Sequence, residues 1–69
     1  FDKAAEVASV ERTRKLIEAM DLEIASLADE SGAARDARLA ELQAEKARLQ
    51  ERLAAEEKRL RKAEIEQDG

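Results

Sequence analysis

The sequence predicts an all-α fold, a two-helix antiparallel coiled-coil hairpin, on three observations. The composition is that of a long helix: 43% of the residues are charged, proline is absent and Phe1 is the only aromatic. Strong helix formers, chiefly Ala, Glu, Leu, Arg and Lys, make up most of the chain. Apolar residues recur at intervals of seven in two separate stretches. Between those stretches lies Asp29-Glu30-Ser31-Gly32, the one interior cluster of turn-favouring residues. Residues 1–69 therefore read as a single coiled-coil element, with helices over about 2–28 and 34–67 and a turn over about 29–33.

The first helix opens at Asp2, whose side chain suits an N-cap. Val10, Ile17 and Ile24 occupy its a positions, and Thr13, Met20 and Leu27 its d positions. Lys3 and Glu6 continue the phase with polar residues, so the stripe weakens towards the N-terminus. At the break, Gly32 suits a left-handed residue just past a helix end, and Ser31 or Asp36 is a candidate cap for the second helix. In that second helix Leu39, Lys46, Leu53, Leu60 and Gln67 are a, and Leu42, Leu49, Glu56 and Ala63 are d. Lys46 and Glu56 interrupt a leucine seam; such polar core residues cost stability and can fix register and partner number. Asp68-Gly69 reads as a frayed end.

The two heptads differ in phase by one residue, because Ile24 and Leu39 are two heptads plus one apart. One continuous helix in a parallel coiled-coil oligomer, with a break near Gly32, is the alternative architecture; it would need a skip residue there. Folding back needs none. An antiparallel seam pairs a with d, and a turn centred near Ala33 pairs residues whose numbers sum to 66. Leu27 then meets Leu39, Ile24 meets Leu42, Met20 meets Lys46, Ile17 meets Leu49, Thr13 meets Leu53 and Val10 meets Glu56. Towards the open end Glu6 meets Leu60 and Lys3 meets Ala63. In the flanks this register sets Arg14 against Glu57 and Glu30 against Arg38, both favourable, but Glu23 against Glu45 and Asp2 against Glu66. Val7, Leu16, Leu22 and Ile65 lie off the seam, where a second hairpin or a parent domain would touch them.

Length and charge limit the functions open to the chain. At 69 residues its own core is marginal, and disulfides, metals or oligomerisation are the usual remedies. Cysteine and histidine are both absent, which removes disulfides, thiolate sites, the commonest metal ligand and the commonest general base. Association with itself or with a larger protein is what remains. The 13 basic and 17 acidic residues are interspersed, giving a net charge of −4 and no polybasic footprint. Arg12, Arg14 and Lys15, and then Lys58, Arg59, Arg61 and Lys62, form two basic clusters. Acids interleave the second, and no aromatic is placed to stack a base, so nucleic acid is not the expected partner. No apolar run reaches the roughly 20 residues that span a bilayer. The cytoplasm is the default compartment.

No catalytic group, cofactor site or metal site is expected. The hydroxyls of Ser9, Thr13, Ser26 and Ser31 have no imidazole to activate them. Carboxylate pairs such as Glu41 with Glu45 sit on solvated helix faces rather than in a shielded pocket. The candidate site is the interaction seam itself: Val10, Thr13, Ile17, Met20, Ile24, Leu27, Leu39, Leu42, Lys46, Leu49, Leu53, Glu56 and Leu60. The expected function is that of a structural, protein-binding module, a scaffold, spacer or assembly subunit, rather than an enzyme. The tip offers a second reading. Asp29, Glu30 and Asp36 give the hairpin an acidic tip that is similar to the secondary-channel factors of bacterial RNA polymerase. That resemblance implies a regulator whose tip acids hold or modulate a catalytic Mg²⁺ belonging to its partner. The segment Leu27-Ala28-Asp29-Glu30-Ser31-Gly32-Ala33 departs from that family's tip motif, and the family's globular domain has no counterpart here.

Overall fold

A computed structural model describes residues 2–68, with side chains through Glu66. It contains two α-helices, α1 over Lys3–Leu27 and α2 over Ala33–Asp68, packed antiparallel along one seam. The chain is thus the hairpin and not the continuous rod. Gln67, expected to close the seam, lies outside the described side chains and Gly69 outside the described residues; Asp68, expected to fray, is still part of α2. A 36-residue helix is about 54 Å long at 1.5 Å per residue, and the molecule measures 55 × 15 × 13 Å, so α2 sets its length. The radius of gyration is 16.1 Å, against about 11 Å for a compact chain of this size.

Each helix end has a local cause. Asp2 is the N-cap of α1: its backbone is extended, and Oδ1 accepts from the Ala5 N–H at 3.3 Å. At the other end Ala28 remains in the right-handed helical region and donates to the Ala25 carbonyl, and the Glu30 N–H donates to the Leu27 carbonyl at 3.1 Å. Gly32 does not follow this end directly, as expected, but opens α2. Its φ is +121°, and its carbonyl accepts from the Asp36 N–H at 3.0 Å, which makes it the N-cap residue. Neither Ser31 nor Asp36 supplies a capping side chain among the described residues. The glycine is used because the chain must reverse here in a backbone region that L side chains avoid.

The outer face of α2 explains how so long a helix holds together on one seam. Ala33, Ala37, Ala40, Ala44, Ala47 and Ala54 are all exposed there, and alanine has the highest intrinsic helix propensity.

The register agrees with a turn centred near residue 33. Lys3 pairs with Glu64 and Lys46 with Asp21, and each pair of numbers sums to 67; Glu6 pairs with Arg59, summing to 65. Arg14 reaches Glu57 at 3.1 Å, as the flanking pattern predicts. Arg38 does not face Glu30. It bonds Glu23 at 2.9 Å and Glu41 at 3.4 Å: α1 ends at Leu27, Glu30 lies in the turn, and Glu23 is the g residue one heptad back on the helix. Glu23, expected to face Glu45, thus has an arginine as its partner.

Candidate functional site

The seam is where the sequence concentrates its apolar residues, and the helix pair covers it unevenly. Only Val10 and Leu42 are buried apolar residues among those described, with Leu42 fully covered. Ile17, Met20, Ile24, Leu27, Leu39, Leu49, Leu53 and Leu60 are half-buried. This follows from geometry: two helices share one line of contact, and most a and d side chains keep one flank open. The accessible surface is 5148 Å², against about 4,300 Å² for a compact monomer of 7.7 kDa.

The second feature is a polar layer inside the seam near its open end. Glu56 is 5% exposed, and Thr13 is fully buried. Thr13 Oγ1 lies 2.6 Å from Glu56 Oε1, and Ser9 Oγ donates to Glu56 Oε2. Thr13 Oγ1 has one proton and a second acceptor, the Ser9 carbonyl at 3.1 Å. The shorter distance is that of a hydroxyl donating to an ionised carboxylate. Arg52 Nε stands 3.4 Å from Glu56 Oε1, one turn back on the same helix. Burial pushes the Glu56 carboxyl up, but the Ser9 and Thr13 hydrogen bonds and the charges of Arg52 and Arg59 outweigh it and hold the group below its ordinary range. The register sets Val10 opposite Glu56; the groups that satisfy the carboxylate are instead Ser9 and Thr13, on either side of Val10. Ser9 was absent from the sequence-derived seam. Its signal was present: two hydroxyls four residues apart on one helix face, opposite an acid in a leucine stripe.

Lys46, the other polar seam residue, behaves differently. Its side chain is half-buried, and its amine leaves the seam to pair with Asp21. A lysine can lay its aliphatic stem along apolar neighbours and still keep its charge in water.

At the tip, Asp29, Glu30 and Asp36 are all exposed. Asp36 Oδ1 lies 3.4 Å from Arg35 Nε, within ion-pair range but without hydrogen-bond geometry, so that buried nitrogen has no hydrogen-bond partner. The tip therefore mixes one base with its acids. Among the described residues no cluster of three or more acidic side chains is arranged to hold a metal ion, and no helix is long and apolar enough to cross a membrane.

Beside the seam at the open end is a shallow groove of about 150 Å³. Val7, Val10 and Leu60 line its apolar part, and Glu11, Arg14, Glu57 and Arg61 form its rim. Val7 is 37% exposed there. Comparison of the chain with protein-family models, with curated proteins and with solved structures finds no match.

Proposed function

We propose that the chain is a structural, protein-binding coiled-coil module that associates with itself or packs on a larger protein, and that it performs no chemistry of its own. The observation that carries this reading is the half-covered seam. The hairpin exposes about 800 Å² more than a compact chain of its mass, roughly what one partner contributes to a standard protein interface. Eight large apolar residues on the seam keep open flanks, and further burial of such groups is favourable at about 25 cal/mol per Å². Exposed ion pairs between the two helices, among them Arg14–Glu57 and Glu23–Arg38, align the hairpin and add little to its stability.

The test is thermal unfolding of the chain alone, followed by circular dichroism from about 1 μM to 1 mM. A module that needs a partner is either unfolded at low concentration or melts at a temperature that rises with concentration. A hairpin that is folded at all concentrations, with a fixed midpoint and a stability above about 5 kcal/mol, would show that its seam needs nothing further. Replacing Asp29 and Glu30 with Ala leaves association unchanged on this reading.

A further inference from the structure

Resting on the reading of the hairpin as an association module, we infer that its partner is a second copy of this chain, docked at the open end with Ile65 of each copy seated in the Val7–Val10–Leu60 groove of the other. Three observations converge on that end. The groove has a volume of about 150 Å³, is open to solvent on one side, and has Val7, Val10 and Leu60 as its apolar floor. Its apolar floor is the size of one branched aliphatic side chain, which could cover Val7, Val10 and Leu60 together. Ile65 is the matching knob: it lies on the outer face of α2, 72% exposed, at the same end of the rod as the groove.

Charge chooses the occupant. On the rim Arg14 and Glu57 satisfy each other at 3.1 Å. Glu11, on α1, and Arg61, on α2, have no ion-pair partner among the described residues, and they stand on opposite rims of the groove. Arg61 precedes Ile65 by one helical turn, so the two side chains project from the same stripe of α2. When Ile65 of one copy enters the groove of the other, its Arg61 approaches the free Glu11 on the far rim. A two-fold axis repeats both contacts, giving two apolar knobs and two ion pairs from one surface. Such an isologous contact closes at two copies and cannot run on into a filament.

Sedimentation equilibrium of the full chain tests this, with the distance between labels on two exposed sites, Ala8→Cys and Lys58→Cys, reporting that each variant keeps its hairpin. Wild type is expected to dimerise. Ile65→Asp is expected to weaken the dimer roughly a hundredfold or more, because each substitution removes two buried knobs. Glu11→Arg and Arg61→Glu are each expected to weaken it about tenfold, and the double reversal to recover most of that loss. A wild-type chain that stays monomeric at about 1 mM would overturn the inference. If that monomer also melts with high stability, the association reading falls with it; if it is marginal or unfolded, that reading stands and the partner is a different protein. A wild-type dimer indifferent to Ile65→Asp and to both charge reversals would also overturn the inference, since copies would then meet through another face.

Discussion

Glu56 concentrates the energetics of the molecule at one residue. It is an ionised carboxylate in a leucine seam, and its cost is offset by two hydroxyls and two nearby arginines. Removing one side of such a network leaves the other unsatisfied, at about 1–3 kcal/mol, whereas replacing both sides by apolar groups is close to neutral or stabilising. Glu56→Ala is therefore expected to lower the free energy of unfolding by about 1–3 kcal/mol. The triple change Ser9→Ala, Thr13→Val, Glu56→Leu is expected to match or exceed wild type. Urea titrations of the variants measure both, and a triple variant as unstable as Glu56→Ala would contradict the assignment. The pH dependence has a definite sign. The folded Glu56 carboxyl is held below its ordinary range, so it contributes stability above the unfolded value, and that contribution is lost as pH falls through the folded one. Denaturation midpoints recorded downwards from about pH 5 should fall, and Glu56→Gln should flatten part of that slope. Glu56 itself was legible as a polar seam position, because the heptad places it at d. Its partners were not, since a layer rule names the residue directly opposite, while a carboxylate long enough to reach sideways finds the hydroxyls on either side.

At the scale of the elements, the helices were legible in outline and the turn only in part. Seven-residue spacing and a single break locate α1 and α2, because both signals come from side chains. The conformation of the break depends on backbone dihedrals, which the same four turn residues can satisfy in several ways. Its place after an apolar run suggests that Gly32 ends the first helix; it caps the second, with φ at +121°. An added Cβ there would meet no atom within 4 Å, so the penalty for Gly32→Ala is backbone strain alone, about 1–3 kcal/mol. A synthetic chain with D-alanine at this position, which favours positive φ, should recover that loss in the same urea titration. Equal destabilisation by both enantiomers would contradict the strain account. Asp2→Ala should cost about 1 kcal/mol through loss of the cap to the Ala5 N–H, read as a lower melting temperature.

For the whole molecule, one line of contact carries the fold, and burial along it is unequal. Leu42 is fully covered and Leu53 is not, although the heptad treats them alike. Leu42→Ala should destabilise by about 2–5 kcal/mol, and Leu53→Ala by distinctly less in the isolated chain. Periodicity names the residues that face the seam but not how far two helices alone can cover them, which is why the sequence supported a module in need of a partner without showing which flank was left open. The seam, the Glu56 layer and the open-end groove all depend on the chain folding back on itself in the register of Lys3–Glu64 and Glu6–Arg59. The most direct test is the spin-label distance between Ala8→Cys and Lys58→Cys, both exposed, in a sample diluted with unlabelled protein. The hairpin predicts a short distance, an interhelical spacing of about 8–10 Å extended by the label linkers; a distance near 75 Å, from about 1.5 Å per residue along one helix, would contradict it.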